Sequence, residues 1–175
     1  MAALDAASLR FRPYAPGDLA AARRLHARSF AALAAGHYAP ADIAGHAALI
    51  AAKDYAEDLA RSRLIVAETP GAGLVASGGW IALDGEPGTA RVRKLFVAPE
   101  AAGRGIGRSM LARIEDAARA AGHARFFLRA YLNAAAFYRA AGYRDDGPGG
   151  MALPGGREMR VLFMRKERPH AALQH

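Results

Sequence analysis

With 175 residues, 53% of them hydrophobic, the chain is long enough for one domain with a sizeable core. It contains no cysteine, which excludes disulfides, thiolate metal sites and a cysteine nucleophile. It also has no apolar run of about 18 residues and no pattern of a secretory leader, so we expect a cytoplasmic protein without a membrane span. Its 24 basic and 16 acidic residues give a net charge of +8, but the basic residues are scattered, which argues against nucleic acid and suits a smaller polyanionic ligand.

The first half of the chain is predicted to hold a strand, then helices, then further strands. The first strand covers Leu9–Tyr14, and Pro/Gly turns separate the later elements. Helices are predicted over Leu19–Phe30, Asp42–Lys53 and Asp54–Arg61, and strands over Leu64–Glu68, Leu74–Leu83 and Thr89–Val97. The pair Gly78-Gly79 within the second of these later strands predicts a bulge.

The second half begins with a long helix and ends with a strand. The predicted elements are a helix from about Gly105 to Ala121, a strand over Ala124–Tyr131, a short helix over Asn133–Ala141 and a strand over Met159–Lys166. Asp146–Gly156 is so rich in Gly and Pro that we predict a flexible surface loop. We therefore expect one α/β (α+β) domain over residues 1–166, built on a mixed, mostly antiparallel sheet of about seven strands flanked by helices, and a frayed tail over residues 167–175.

The stretch Leu95–Gly107, LFVAPEAAGRGIG, leads from a strand through a glycine-rich turn into the long helix. Glycine lets backbone N–H groups approach a ligand closely, and the unpaired N–H groups of the first helical turn favour an anion. Arg104 and Arg108 add positive charge at this turn. The stretch therefore fits a phosphate-binding loop, although an ordinary glycine-bent loop before an amphipathic helix has the same pattern.

The order of these parts resembles the GCN5-related N-acetyltransferase (GNAT) superfamily over most of the chain, roughly from Leu9 to Lys166. Two segments carry the resemblance, LFVAPEAAGRGIGRSMLARIEDAARAAG and, after the next strand, NAAAFYRAAGY. The resemblance implies an acyl-CoA N-acyltransferase fold and acetyl-CoA as the acyl-donor cosubstrate, with no metal. It also implies transfer of the acetyl group to a primary amine by direct attack in a ternary complex.

The resemblance also implies which residues bind the donor. Leu95, Phe96 and Val97 resemble the strand that pairs with the pantetheine arm, while the neighbouring strand splays away to make the slot for the thioester. The family's pyrophosphate loop falls on Ala102, Gly103, Arg104, Gly105, Ile106 and Gly107, with Arg108 following it. Asn133 matches an asparagine that contacts the cofactor arm. Ala102 stands where the family usually has Gln or Arg, so we expect weaker cofactor binding.

Tyr138 matches the tyrosine that the family often uses as general acid toward the departing thiolate, and it also belongs to the predicted cofactor site. A phenol with a pKa of about 10 is chemically suited to that proton transfer. In the alternative interpretation, Tyr138 and Phe137 only pack the short helix against the sheet. Phe137 and Ala141 are four residues apart and suit the core, whereas Tyr138 is rotated by about 100° from Phe137.

A general base is not identifiable. Glu68 and Glu100 are the nearest acidic residues in sequence, and a water chain or an acceptor of low pKa would make a dedicated base unnecessary. Strand alternation over Thr89–Val97 predicts Arg91 and Arg93 on one face and Lys94 on the other. If one face opens on the acceptor cleft, a carboxylate-bearing acceptor is favoured over a polyamine; otherwise the residues form a solvated sheet face.

The remaining polar residues suggest no other chemistry. We assign no metal, because the histidines of the first half are too irregularly spaced for a cluster: His26, His37 and His46. Ser77 and Ser109 have no His or Asp partner that would indicate a serine nucleophile. Glu115 and Arg119 are predicted to form a surface i,i+4 ion pair.

Two functions of different classes remain open at this point. The first is an N-acetyltransferase whose acceptor is a small-molecule or protein amine, in a protein that forms a possible homodimer. The second is a CoA-binding regulatory or interaction module without catalysis, which Ala102 and the missing carboxylates favour. A nucleic-acid-binding domain would need a continuous basic stripe, and the arginines are scattered instead.

Overall fold

The structure is a computed structural model that describes residues 9–167. Its strands are β1 (Arg10–Pro13), β2 (Arg63–Thr69), β3 (Gly73–Ala82), β4 (Thr89–Val97), β5 (Arg125–Ala130), β6 (Arg144–Leu153) and β7 (Arg157–Glu167). Its helices are α1 (Leu19–Leu33), α2 (Pro40–Ala51), α3 (Tyr55–Arg61), α4 (Ile106–Ala120) and α5 (Ala135–Ala140). The predicted frayed tail lies outside the described residues, except for Glu167 at the end of β7. No helix within this range is both long and apolar enough to cross a bilayer.

The strands form one seven-stranded sheet in the order β1-β2-β3-β4-β5-β7-β6. Five of its neighbouring pairs are antiparallel, and β4 pairs with β5 in parallel. Helix α4 connects these two parallel strands and packs on β3 and β4. The prediction of a mixed, mostly antiparallel sheet flanked by helices is therefore confirmed.

The parallel strands β4 and β5 separate soon after they begin. Their pairing covers Thr89–Arg91 on β4 and Arg125–Phe127 on β5, and it ends there although β4 continues to Val97. The second half of β4 therefore has an open edge facing the diverging β5. This separation creates the cleft that holds the candidate site.

A bulge reshapes β4 halfway along its length. The β3–β4 register shifts between Ser77 and Gly79, and Lys94 has a φ of +58°. Gly79 has to be glycine, because a Cβ there would overlap the Arg63 carbonyl of β2. The predicted bulge is confirmed, but the predicted alternation is wrong. Both Arg93 and Lys94 bond to the Asp58 carboxylate, because the positive φ breaks the two-residue period.

The predicted loop over Asp146–Gly156 is wrong, because most of it forms the edge strand β6. Two of its glycines face large side chains of β7: a Cβ on Gly149 would overlap Phe163, and one on Gly150 would overlap Glu158. Pro148 lies at a register shift on the sheet edge, where a missing N–H costs no ladder bond. Glycine and proline therefore mark an edge strand here.

The predicted ion pair of Glu115 and Arg119 is present, but its predicted position on the surface is wrong. The Glu115 side chain is only 5% exposed, and besides Arg119 it accepts hydrogen bonds from Tyr143 Oη at 3.0 Å and Lys166 Nζ at 2.8 Å. Those partners come from other elements, so α4 spacing could not reveal them. Glu115 ties α4 to β7 and to the start of β6.

Candidate active site

A cavity of about 530 Å³ lies between the end of β4 and Tyr131, the residue that follows β5. It is bounded by the end of β4, the glycine loop, α1 and α5. Of the predicted donor-binding residues, all but Arg104 and Ile106 line it: Leu95, Phe96, Val97, Ala102, Gly103, Gly105, Gly107, Arg108, Asn133 and Tyr138. Ile106, the first residue of α4, instead points into the core, with 4% of its surface exposed. The fold thus brings distant predicted residues to one cleft, although their ligand roles stay predictions.

The glycine loop gives this cavity an open helix N-terminus. Gly103 and Gly105 have φ values of +74° and +78°, the left-handed region that glycine adopts without steric cost. Helix α4 begins directly after Gly105, and no side chain caps its first turn. The N–H groups of an uncapped first turn and a cationic side chain favour an anion, and Arg108 lines the cavity beside this turn. Ala102 contributes only a methyl group to the wall, so a longer polar contact is missing there.

A second cavity of about 350 Å³ adjoins the first. The two share residues from the end of β4 and from the segment between β5 and α5: Leu95, Phe96, Tyr131, Ala134 and Tyr138. The walls of the second cavity include four cationic side chains and one carboxylate, namely Arg91, Arg93, Lys94, Arg129 and Asp58. The end of β4 therefore lies between a cavity that suits a diphosphate and a strongly positive cavity.

The charges of the second cavity are only partly balanced. Arg93 Nη2 lies 2.6 Å from both oxygens of Asp58, and Lys94 Nζ lies 2.8 Å from one of them. Burial favours the neutral acid, but hydrogen bonds and charges from Lys94 and Arg93 outweigh it and lower the pKa of Asp58. Burial lowers the pKa of Lys94 to about 8 despite this carboxylate. Asp58 is a member of the site that sequence reasoning missed, because only folding brings α3 against β4.

Tyr138 borders both cavities. Its ring packs edge-on against Phe137 and Tyr143, with centroids 5.1 and 5.6 Å apart, so the predicted packing role is also correct. Burial raises the pKa of its hydroxyl above the ordinary phenol value. Tyr138 is therefore protonated at neutral pH and lies at the boundary between the two cavities.

A buried histidine fixes the bulge of β4. His26 Nε2 lies 2.7 Å from Ser77 Oγ, and its Nδ1 lies 2.7 Å from Tyr55 Oη. Ser77 donates its proton to the Lys94 carbonyl at 2.9 Å, so His26 donates through Nε2 and accepts from Tyr55. The expectation that Ser77 has no histidine partner is wrong. Its hydroxyl is nevertheless engaged with the backbone of Lys94, which makes it a structural group.

A second buried histidine lies behind the cavities. His46 Nε2 is 2.8 Å from the hydroxyl of Tyr131, a residue that lines both cavities. The ring of His46 stacks on Phe30 with centroids 3.9 Å apart, and burial lowers the pKa of His46 to about 4. The sequence offered no signal for this contact, because His46 and Tyr131 are 85 residues apart in the chain.

The acidic residues considered as bases lie elsewhere. Glu68 bonds to Arg12 at 2.9 Å between β1 and β2, and Glu100 bonds to Arg28 at 3.1 Å. Neither side chain lines either cavity. Among the described residues around the two cavities, Asp58 is the sole carboxylate, and two cations hold it.

A cleft between diverging parallel strands, with a glycine-led helix N-terminus on one side, defines the acyl-CoA N-acyltransferase class of fold. Residues 60–145 match the sequence model described as an acetyltransferase (GNAT) domain. This match spans just under half of the chain, and it agrees with the resemblance of the sequence motifs to the GCN5-related N-acetyltransferase superfamily.

Relatives agree with this assignment. The chain is 44% identical over 97 residues to an IAA acetyltransferase of Azospirillum brasilense, a match that covers 54% of this chain and 61% of that protein. A GCN5-related N-acetyltransferase from Rhodopseudomonas palustris superposes with a TM-score of 0.80 at 24% identity, over 92% of this chain and 96% of that one. The PaiA N-acetyltransferase of Thermoplasma acidophilum, solved with coenzyme A, gives a TM-score of 0.70 at 16% identity, over 92% and 99% of the two chains.

Proposed function

We propose that the protein is an acetyl-CoA-dependent N-acetyltransferase that acetylates a primary amine by direct attack in a ternary complex. The observation that carries the proposal is that the two cavities meet along the end of β4. The first, beside the glycine loop, suits the donor and is called the donor cavity; the second, lined by Arg91, Arg93, Lys94 and Arg129, suits an acceptor and is called the acceptor cavity. The family match and the relative named as an acetyltransferase support the reaction class.

The donor cavity has the features that acetyl-CoA needs. The open first turn of α4 and the glycines before it would hold the diphosphate, with Arg108 adding charge. The unpaired edge of Leu95–Val97 offers backbone groups to the amide-containing arm, in the manner of an added strand. Asn133 lines the same cavity, and its Oδ1 is buried without a hydrogen-bond partner among residues 9–167, so it can accept a bond from that arm.

When bound, acetyl-CoA supplies a thioester carbon as electrophile and a thiolate as leaving group. A C–N bond forms as the C–S bond breaks, so the site has to deliver one proton to sulfur and accept one from nitrogen. The Tyr138 hydroxyl donates the first proton. Since the one carboxylate that lines the two cavities is held by Arg93 and Lys94, we propose that the proton on nitrogen passes to water and that water returns a proton to the Tyr138 phenolate.

Thermal unfolding with acetyl-CoA, CoA and ATP, followed by an amine screen, tests the proposal. A ligand at 100 times its Kd adds about 2.7 kcal/mol, which for this size corresponds to roughly 5–10 °C. We expect a shift with both CoA species, little with ATP, and thiol release when amines are added. Binding without thiol release from any amine would favour the non-catalytic CoA-binding module, and no shift with any CoA species would exclude both functions.

A further inference from the structure

The acceptor cavity carries more positive charge than its own residues balance. Of its four cations, Arg93 and Lys94 are held by Asp58, whereas Arg91 hydrogen-bonds to no group within the described part of the chain. We infer that the acceptor is a small amine that also carries a carboxylate, and that Arg91 binds this carboxylate. The inference rests on the proposed function and names the substrate class of the same site.

The position of Arg91 supports this role. It lies on β4 at the last parallel pair, opposite Phe127, where the two strands begin to separate. Arg129 follows Phe127 by two residues on β5 and therefore occupies the same face of the sheet. The side chains of both arginines reach the acceptor cavity, one from each of the diverging strands. Two guanidinium groups thus flank the start of the cleft.

The environment of Arg91 is unfavourable without an anion. Its Nε is buried and has no hydrogen-bond partner among residues 9–167. Burial first, and then the charges of Arg129 and Arg93, lower the pKa of Arg91 to about 10. A buried donor without a partner and a repulsion between like charges both cost free energy. A bound anion removes both costs, since it accepts the free hydrogen bonds and separates the charges.

A carboxylate fits these groups better than other occupants. The planar guanidinium of arginine matches a carboxylate through two parallel hydrogen bonds. This cavity already holds one carboxylate, that of Asp58, which accepts from Arg93 Nη2 through both of its oxygens. A cavity of about 350 Å³ suits a molecule of amino-acid size. A polyamine would bring further positive charge to Arg91 and Arg129, so the same electrostatics exclude it.

The same charges assist the reaction at the amine. Positive neighbours and burial destabilise an ammonium ion, and Lys94 shows the effect on an amine within this cavity, where its pKa falls to about 8. A substrate ammonium placed among Arg91, Arg129 and Lys94 therefore loses its proton more readily than it does in water. This explains how a site without a free carboxylate can obtain a neutral amine.

The first experiment compares matched acceptors at saturating acetyl-CoA. The pairs are glycine with glycinamide and β-alanine with β-alaninamide, and the panel also contains phosphoethanolamine and spermidine. The carboxamides have the more readily deprotonated amines, so they react faster if the carboxylate contributes nothing. We expect kcat/KM to be higher for the carboxylate of at least one pair, and spermidine to react slowest.

The second experiment is the substitution Arg91→Gln, with Arg24→Gln as its matched control. Arg24 is exposed on α1 and lines neither cavity, so its change removes the same charge from an unrelated place. We expect Arg91→Gln to lower kcat/KM for the preferred carboxylate by roughly 10- to 100-fold, the usual effect of a lost charge-assisted bond, and to leave the carboxamide within about twofold. Arg24→Gln should leave both values unchanged.

The outcomes separate the two proposals. No thiol release with any amine would overturn the proposed function itself. Turnover in which carboxamides, spermidine or phosphoethanolamine are preferred would leave the function standing and overturn the carboxylate inference. An equal fall of both acceptors in Arg91→Gln would overturn the role of Arg91. If that variant loses its thermal shift with acetyl-CoA, Arg91→Lys replaces it, because lysine keeps the charge and loses the paired hydrogen bonds. An unchanged ratio of kcat/KM between carboxylate and carboxamide in Arg91→Lys would then overturn the role of Arg91.

Discussion

Arg93 and Lys94 are consecutive residues of β4, yet both bond to the same carboxylate, that of Asp58 on α3, at 2.6 and 2.8 Å. A regular strand would send their side chains to opposite faces. The φ of +58° at Lys94 removes this alternation, and the Ser77 hydroxyl holds the Lys94 carbonyl in the new direction. The bulge therefore determines both the backbone of the cleft and the charge of the acceptor cavity.

The first prediction concerns Asp58. In the variant Asp58→Asn, Arg93 and Lys94 remain largely buried, with side chains 14% and 13% exposed, and lose their anion. We expect the free energy of unfolding in urea to fall by about 3 kcal/mol. Asp116→Asn is the control, because its side chain is 77% exposed and its pair with Arg119 should contribute less than about 1 kcal/mol. Equal stability of the two variants would contradict the structural importance of the Asp58 cluster.

The second prediction concerns the glycine loop. Alanine at Gly105, where φ is +78°, should cost about 1–2 kcal/mol of stability, because a Cβ disfavours the left-handed conformation. Gly71→Ala is matched to it, since Gly71 has a φ of +81° in the turn between β2 and β3. We expect similar losses of stability in both variants, but a reduced thermal shift with acetyl-CoA only in Gly105→Ala. An undiminished shift there would separate this loop from donor binding.

The third prediction concerns Tyr138. The change Tyr138→Phe keeps the ring that packs on Phe137 and Tyr143, and it removes only the hydroxyl. We expect kcat to fall by about 10²- to 10⁴-fold, as for the loss of a general acid, with the thermal shift by acetyl-CoA unchanged. Tyr14→Phe, remote from both cavities, should leave kcat as it is. A wild-type kcat in Tyr138→Phe would restrict this residue to packing.

The fourth prediction concerns pH. His46 has a pKa lowered to about 4, and His26 is shifted in the same direction, so both are neutral in the native state while an unfolded imidazole titrates near about 6.5. As the pH falls below about 6.5, the unfolded chain takes up protons that the native state does not, and stability is lost. Between pH 6.5 and 5, each histidine should account for a loss of about 1.5 kcal/mol.

The substitution His46→Gln checks this assignment. We expect the variant to lose about half as much stability as the wild type over the same interval, because only His26 then contributes. His37→Gln serves as control, since the His37 side chain is exposed on the loop after α1. Measurements above pH 5 keep the contribution of carboxylates small, because their unfolded pKa values are near about 4. A pH dependence identical in wild type and His46→Gln would contradict the assignment.

Local patterns were sufficient to predict the elements that obey one period. Helix α4 keeps the helical period over Ile106–Ala120, close to the predicted bounds. Strand Thr89–Val97 also has the predicted bounds, because turns flank it, although the bulge at Lys94 breaks its two-residue period. The glycine loop before α4 was recognisable because Gly103 and Gly105 have to adopt a conformation that other residues avoid. Strand β6 was missed because Gly149 and Gly150 are required by side chains of β7, and those contacts exist only after pairing.

The parts of the site that sequence could not supply depend on contacts between distant segments. Asp58 meets Lys94 across 36 residues only because α3 lies beside the bulge of β4. Tyr131 meets His46 by the packing of α2 on the end of β5. No spacing in the sequence predicts either of these contacts. The glycine loop of the first cavity lies in one continuous segment and could be recognised from the sequence, whereas the cluster of Asp58, Arg93 and Lys94 is assembled from separate elements and could not.

The order of the strands also has a consequence during synthesis on the ribosome. β7 is the last described strand in sequence, yet it lies inside the sheet, between β5 and β6. Until Arg157–Glu167 has left the exit tunnel, β5 has no antiparallel neighbour and β6 has nothing to pair with. The nascent chain therefore presents an unpaired strand edge beside the future cleft, a surface prone to association with other chains.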